Sequence, residues 1–246
     1  MLAFDKKTIG KNSYIIYIQR EQMNKHHTIV QQYLDRNTSL DKVYTFQHKE
    51  KWFIGINTVF SSYIFEDTYF FAEHIPSNSN EKFLEIGCGN GFISVVKALN
   101  GSCVTATDIN LDALINTKMN AILHSVDQNI SILYSDIFDS LKTSDVFDTI
   151  FWNAPFIFSE IQPATLLERS VFDFEYLSIK KFIAGFKSHL KKSGRAFLGF
   201  SSTSGNFSYL SDICNERNVT LKLLAQSFLE GDDYEEKFSL ELYELI

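Results

Sequence analysis

Apolar residues recur at two different spacings along the chain, and the alternation of these spacings predicts its secondary structure. Short apolar runs between polar turns are typical of strands, whereas apolar residues at positions i, i+3, i+4 and i+7 are typical of amphipathic helices. The predicted strands after residue 80 are residues 83–86, 104–107, 130–134, 147–152, 196–200, 221–225 and 238–245. The predicted helices in the same part are residues 92–99, 111–122, 179–190 and 206–216.

Strands that alternate with amphipathic helices predict an α/β fold, in which helices cover both faces of a parallel sheet. No helical pattern separates the last two predicted strands. We therefore expect residues 221–225 and 238–245 to form an antiparallel pair at one edge of the sheet. Asn110 is predicted to cap the second helix, and Gly194 to end the third.

A polar turn cluster at residues 76–80 predicts a domain boundary. Residues 1–76 then form a small N-terminal α+β region, which we expect to recognise the substrate or cap the site. Residues 77–246 form the main sheet domain. The predicted elements of the N-terminal region are a strand at residues 14–18, a helix at residues 23–34 and strands within residues 52–65.

The composition excludes several classes of protein. Hydrophobic residues make up 45% and charged residues 22% of the 246 residues, which is ordinary for a globular protein. There is no apolar run long enough to span a membrane, and the first residues lack the apolar core of a signal peptide. Cys88, Cys103 and Cys214 are far apart, which favours reduced thiols in a cytoplasm and argues against a metal site.

The distribution of charged residues indicates which kind of molecule the chain binds. The net charge is −7; residues 1–80 hold 9 Lys and Arg against 8 Asp and Glu, and residues 81–246 hold 14 against 22. This distribution lacks the broad basic face that nucleic acid backbones attract, although a local basic patch on the first part stays open. The balance favours a protein, peptide or small molecule as partner.

A glycine-rich turn follows the first strand of the main domain. Gly87, Gly89 and Gly91 stand at alternate positions, with Glu85 just before them and Cys88 among them. Such a turn lets backbone approach a ligand closely. Dinucleotide sites have Gly-x-Gly-x-x-Gly and bind a pyrophosphate, which disfavours a nearby acid. S-adenosylmethionine carries an ammonium and a sulfonium, so the spacing and the acid together favour this cofactor.

Four successive predicted strands are each followed or ended by a glycine, an acid or an amide. These residues are Gly87, Asp108, Asp136 and Asn153. The carboxyl ends of parallel strands meet at one edge of a sheet, where ligands bind. A carboxylate at Asp108 can accept hydrogen bonds from both hydroxyls of a ribose. Helix capping stays open as the alternative for Asp108 and Asp136, and a solvated strand end for Glu85.

These residues resemble the class I S-adenosylmethionine-dependent methyltransferases over about residues 80–246. The resemblance implies a Rossmann-like, seven-stranded, mostly parallel sheet with one antiparallel edge strand. It places the glycines around the methionine part of the cofactor, Asp108 on the ribose and Asp136 near the adenine amino group. The cofactor-binding residues implied in this way are Glu85, Gly87, Cys88, Gly89, Gly91, Asp108, Ile109, Asp136, Ile137 and Asn153, with Ile109 and Ile137 beside the adenine ring.

A second motif, Asn153-Ala154-Pro155-Phe156, follows the fourth of these strands. It resembles the Asn-Pro-Pro-Tyr/Phe motif of methyltransferases that act on planar nitrogen, such as release-factor glutamine, adenine-N6 and guanine-N2 enzymes. The Asn153 oxygen and the Ala154 carbonyl can hold a planar nitrogen toward the sulfonium methyl. Pro155 fixes the turn, and Phe156 can stack on the planar group. Ala154 stands where the family has its first proline.

A stretch before the main domain resembles a segment that folds over the cofactor in related enzymes. Thr68 is predicted to contact the cofactor and Phe60 to wall the pocket, while capping of the following helix by Asp67 or Thr68 is an equal alternative. Residues 156–174, rich in Phe and Ile, are predicted to form a lid over the acceptor.

The sequence therefore predicts an S-adenosylmethionine-dependent N-methyltransferase in the cytoplasm. Its acceptor is a planar or amine nitrogen of a protein, peptide or small molecule. Two alternatives stay open, a base N-methyltransferase acting on RNA or DNA and a cofactor-binding partner protein without catalysis.

Overall fold

The computed structural model describes residues 28–229 and 238–246. The strand predicted at residues 14–18 and the first part of the helix predicted at residues 23–34 lie outside them. The helices are α1 (residues 28–39), α2 (Asp67–His74), α3 (Phe92–Leu99), α4 (Leu111–Leu123), α5 (Leu177–Gly185) and α6 (Phe207–Glu216), with short 3-10 helices at Glu168–Ser170 and Phe186–His189. The strands are β1 (Val43–His48), β2 (Lys51–Ile56), β3 (Lys82–Ile86), β4 (Cys103–Asp108), β5 (Ile130–Tyr134), β6 (Phe147–Asn153), β7 (Ile157–Ser159), β8 (Phe172–Phe174), β9 (Leu190–Phe200), β10 (Leu221–Leu229) and β11 (Phe238–Leu245).

Seven strands form the central sheet in the order β10-β11-β9-β6-β3-β4-β5. Strands β9, β6, β3, β4 and β5 are parallel, and β11 runs antiparallel to both β9 and β10. This confirms the predicted Rossmann-like sheet with an antiparallel edge pair. The chain builds outward from β3 through β4 and β5, and then returns to the other side of β3 with β6. Ligands of open α/β sheets bind at such a reversal, beyond the carboxyl ends of the strands.

The core lies on both faces of this sheet because side chains of a strand alternate between its faces. On one face, Leu84 and Ile86 of β3 belong to the cluster that includes Ile179 and Phe182 of α5. On the other face, Phe83 belongs to the cluster that includes residues of α2 and α3. Strand β3 is therefore buried on both sides, and this fixes the position of the turn that follows it.

Two predicted boundaries differ from the structure. Gly194 does not end a helix, because α5 ends at Gly185 and Gly194 lies inside β9. A Cβ atom at Gly194 would lie 2.8 Å from the Phe147 carbonyl oxygen, so the glycine allows β6 and β9 to approach closely. The strand structure predicted within residues 52–65 ends at Ile56.

The N-terminal hairpin, formed by β1 and β2, is joined to α4 by two buried asparagines. Asn116 accepts the Ile56 N–H at 3.0 Å and donates to the Ile54 carbonyl at 2.8 Å. Asn120 accepts the Ile54 N–H and donates to the Ile54 carbonyl, both at 2.8 Å. These bonds satisfy backbone groups of an edge strand that has no further strand beside it among the described residues. Division of the chain at residues 76–77 stays a prediction.

None of the helices in the described part of the chain is long and apolar enough to cross a membrane.

Candidate cofactor and acceptor site

A cavity opens at the carboxyl ends of β3, β4, β5 and β6; it is called the first cavity below. Most of the residues that are predicted from the sequence to bind the cofactor line this cavity. Those residues are Thr68, Glu85, Gly87, Cys88, Gly89, Asp108, Ile109, Asp136, Ile137 and Asn153. Pro155 also lines it, whereas Gly91, Ala154 and Phe156 do not.

The glycine turn leaves the wall of the first cavity without side chains. Gly87 and Gly89 line the cavity and have φ angles of +64° and +54°, a region that residues with a Cβ rarely adopt. Gly91 does not line the first cavity and has a packing role instead. A Cβ atom there would lie 2.8 Å from Thr117 of α4, so Gly91 allows close packing of α3 on α4.

Asp108 ends β4 with its carboxylate held by backbone. Its Oδ2 accepts the Gly89 N–H at 3.0 Å, and its Oδ1 accepts the Asn110 N–H at 2.8 Å. Burial raises the pKa of the carboxyl group, and these N–H bonds oppose the shift. The side chain of Asn110 itself caps α4 by accepting the Asp112 N–H. Because a carboxylate has about four acceptor positions, Asp108 can still accept bonds from a ligand in the first cavity.

Glu85 is a buried acid in the wall of the first cavity. It is 3% exposed and accepts a short hydrogen bond from the Ser94 hydroxyl. Burial raises its pKa from 4.5 to about 8, against the lowering effect of Ser94, and the nearby Asp108 charge raises it further. The Glu85 side chain is therefore largely protonated at neutral pH, and a cation in the cavity would favour its ionised form.

Asp136 and Ile137 follow β5 at the edge of the first cavity. Asp136 is partly exposed and pairs with Lys181 of α5 at 3.2 Å. Ile137 is buried and has a φ angle of +53°, which is unusual for a β-branched residue. The Ser135 hydroxyl donates to the Ile137 carbonyl at 3.0 Å and holds this turn. No α-helix of the described chain begins at Asp136, so capping of an α-helix does not account for it.

Asn153 lies at the end of β6 with one end of its amide paired and the other unpaired. Its Nδ2 donates to Oδ2 of Asp67 at 2.8 Å. Its Oδ1 is buried and has no hydrogen-bond partner among the described residues. A buried acceptor without a donor costs about 1–3 kcal/mol, and a ligand N–H that reached Oδ1 would remove this cost.

A second cavity lies on the other side of Asn153. Asn153 and Phe60 line both cavities, and Ala154 and Phe156 line the second one. The Phe156 carbonyl accepts a hydrogen bond from the buried Tyr176 hydroxyl at 2.5 Å, which fixes this segment. Further lining residues of the second cavity come from α1, the start of α2 with the residues before it, and the last two strands: Ile29, Val30, Tyr33, Phe65, Glu66, Asp67, Leu229 and Phe238.

The comparisons with known proteins give the family. Residues 50–222 match the family described as Methyltransferase small domain. The chain belongs to this family. The match begins within the N-terminal region and covers the glycine turn, Asn153 and the segment between β6 and α5.

Several curated proteins are similar to parts of this chain. A bifunctional methyltransferase of Rickettsia bellii is 33% identical over 136 residues, which are 50% of this chain and 24% of the relative. A release factor glutamine methyltransferase of Rhodopirellula baltica is 41% identical over 76 residues, 30% of this chain and 26% of the relative. A putative protein N5-glutamine methyltransferase of Methanocaldococcus jannaschii is 36% identical over 93 residues, 37% of this chain and 45% of the relative. The chain thus spans less than half the length of these relatives.

Solved structures share the fold of this chain. A SAM-dependent methyltransferase from Agrobacterium tumefaciens has a TM-score of 0.56 and 16% identity, and the alignment covers 84% of this chain and 70% of that one. A ribosomal protein L11 methylase from Lactobacillus delbrueckii has a TM-score of 0.51 and 14% identity, with coverage of 74% and 76%.

S-adenosylmethionine is the cofactor that the family implies, and the first cavity fits it. Gly87 and Gly89 leave room for the methionine part, and Glu85 is an acid that a cationic ligand can ionise. Asp108 offers free acceptor positions to ribose hydroxyls. When bound, the cofactor supplies an electrophilic methyl group on sulfur.

Several residues of the site were missed or assigned differently by sequence reasoning. Asp67 was considered as a helix cap, but its carboxylate holds Asn153. The predicted lid is the segment that contains the parallel pair β7 and β8. Arg169 and Phe172 of this segment line the first cavity, and Ile157 and Val171 line the second. The residues of α1, β10 and β11 that line the second cavity carry no local signal, because only the folded chain brings them to Asn153.

Proposed function

We propose that this chain is an S-adenosylmethionine-dependent N-methyltransferase that acts on a planar amide nitrogen of a protein. The observation that carries the proposal is the buried, unpaired Oδ1 of Asn153, a residue that lines both cavities. The names of relatives that act on glutamine, one of them on a release factor, support an amide acceptor.

Asn153 has the central role in this proposal. An amide nitrogen is a poor nucleophile because its lone pair is delocalised. Oδ1 of Asn153 accepts an N–H of the acceptor, and the Ala154 carbonyl is proposed as the second acceptor. Asn153 and the Ala154 carbonyl would hold the acceptor nitrogen toward the first cavity. Bound there, the cofactor would supply the methyl group and leave as its neutral thioether, and the acceptor would release one N–H proton to solvent.

Positioning is the larger energetic effect. Each hydrogen bond to the acceptor contributes about 1 kcal/mol net, whereas holding two reactants in an attack geometry can contribute ~7–11 kcal/mol. The rigid attachment of Asn153 to a central strand and to Asp67 fits this demand.

The second cavity is proposed to receive the acceptor. Its aromatic walls include Phe156 and the stacked pair Phe60 and Phe65, whose ring centroids are 4.2 Å apart. Such walls suit the flat face of an amide and exclude water from it. Because Ile29, Val30 and other residues before position 77 line this cavity, the N-terminal region is proposed to take part in acceptor recognition.

The test is Asn153→Ala, assayed by transfer of tritiated methyl from S-adenosylmethionine to a purified bacterial release factor. We expect the cofactor dissociation constant, measured by calorimetry, to change by less than about threefold and turnover to fall by at least about 100-fold. Asn100→Ala, at an exposed asparagine after α3, serves as the matched control. Full turnover by Asn153→Ala would remove the proposed mechanism.

Two other functions, a base N-methyltransferase and a cofactor-binding protein without catalysis, predict different experimental results. Retention on RNA at low salt and release at moderate salt, with methyl incorporation into RNA, would favour a nucleic acid acceptor. Tight cofactor binding without methyl transfer to any of these acceptors would favour a partner protein without catalysis.

The three cysteines are free, and a reducing compartment, the cytoplasm, is the proposed location.

A further inference from the structure

Asp67 and Asn153 form a buried pair between two distant parts of the chain. Asp67 begins α2 and is 6% exposed, and Asn153 ends β6, 86 positions later. Oδ2 of Asp67 accepts the Asn153 Nδ2–H at 2.8 Å, and Oδ1 of Asp67 accepts the Thr68 N–H at 2.8 Å. Both carboxylate oxygens are therefore held, and the carboxylate plane is fixed.

The pair determines which way the Asn153 amide points. The two ends of a side-chain amide have nearly the same shape, so packing alone does not distinguish them. An ionised carboxylate only accepts hydrogen bonds, so it selects the NH₂ end. The Oδ1 end of Asn153 must then point away from Asp67, and this is the atom that has no partner among the described residues.

We infer that Asp67 is a positioning residue, which sets the orientation of the Asn153 amide so that an oxygen, and not an NH₂ group, meets the acceptor nitrogen. This inference rests on the proposed function of Asn153. Without the Asp67 carboxylate, the side-chain amide of Asn153 can rotate by 180°. Its NH₂ group then faces an N–H of the acceptor, and two donors cannot form a hydrogen bond.

The same arrangement predicts a dependence on pH. Burial raises the pKa of Asp67 from 3.8 to about 6, although hydrogen bonds from Asn153 and Thr68 oppose the shift. Among the described residues, Glu66 and Tyr33 are the other ionisable side chains that line the second cavity, and neither is among the causes of this shift. A protonated Asp67 can donate to the amide oxygen, so we expect turnover to fall as pH decreases through about 6.

The variant Asp67→Asn tests the inference in the release-factor assay. An asparagine can pair with either end of the Asn153 amide, so we expect kcat to fall about 10- to 100-fold with little change in cofactor affinity. The acid limb of the kcat profile near pH 6 should disappear in this variant. Glu73→Gln, at an exposed residue of the same helix, removes the same charge and should leave both unchanged.

A measurement on the unmodified protein keeps the inference testable if Asp67→Asn folds poorly. The side-chain amide signals of Asn153 in a ¹H–¹⁵N NMR spectrum should shift with a midpoint between about pH 5 and 7. Unshifted signals across this range, or wild-type kcat and pH profile in Asp67→Asn, would overturn the inference. Loss of turnover in Asn153→Ala together with full turnover in Asp67→Asn would contradict this inference alone. Full turnover in both would contradict the proposed function.

Discussion

Glu85 offers a quantitative prediction because its ionised form is unfavourable in the folded protein. The pKa of its carboxyl group is raised from 4.5 to about 8 by burial. The folded state therefore holds a proton that the unfolded state releases above pH 4.5, and stability falls as pH rises from about 4.5 to 8. At 1.36 kcal/mol per pKa unit, the unfavourable contribution is about 1 kcal/mol at pH 5 and about 3 kcal/mol at pH 7.

The variant Glu85→Gln removes this titration. We expect the difference in free energy of unfolding between variant and wild type to shift in favour of the variant by about 2–3 kcal/mol from pH 5 to pH 7. Urea unfolding at fixed pH values measures it, and comparing pH values cancels the constant effect of the altered Ser94 bond. A difference that does not vary with pH would refute the raised pKa.

The same residue predicts how cofactor binding depends on pH. If the ammonium group ionises Glu85, binding releases a proton, and S-adenosylmethionine should bind about 10-fold more tightly at pH 7.5 than at pH 6. Calorimetry measures this affinity. 5′-Methylthioadenosine, which lacks the amino-acid part, serves as the control and should show little dependence. Equal pH dependence for both ligands would place the ammonium away from Glu85.

Four further predictions concern single positions. Asp108→Ala should weaken cofactor binding about 10- to 100-fold by calorimetry, because ribose hydroxyls lose charged acceptors. Gly89→Ala adds a methyl group to the cavity wall and should weaken cofactor binding, whereas Gly91→Ala meets Thr117 at 2.8 Å and should lower stability by about 1–3 kcal/mol in urea unfolding. Phe156→Ala should raise the KM for the acceptor in the methyl-transfer assay and leave cofactor affinity unchanged. Opposite effects at any of these positions would contradict the assigned contact.

The part of the site that sequence could predict is local in the chain. Glu85, Gly87 and Gly89 lie within one strand and turn, so their spacing alone indicates a shared cavity wall. Asp108 and Asn153 could be added because parallel strands end at one edge of the sheet. Each of these residues lines the first cavity.

The remaining features depend on contacts between distant segments. The pairing of Asp67 with Asn153 spans 86 positions, and no repeat or spacing marks it. Gly194 was assigned to a helix end because glycine commonly ends helices, yet here it serves the close approach of two strands. Gly91 belongs to the motif by spacing but serves helix packing. In each case a tertiary contact determines the role of the residue, and the local sequence does not distinguish between the possible roles.

The most direct test of the central claim is to locate the transferred methyl group. After incubation of the protein with S-adenosylmethionine and a purified bacterial release factor, fragmentation mass spectrometry can assign the modified atom. The account predicts one methyl group on a side-chain amide nitrogen, formed by the wild type and absent with Asn153→Ala. A methyl group on carbon, oxygen or sulfur, or the same product from Asn153→Ala, would contradict it.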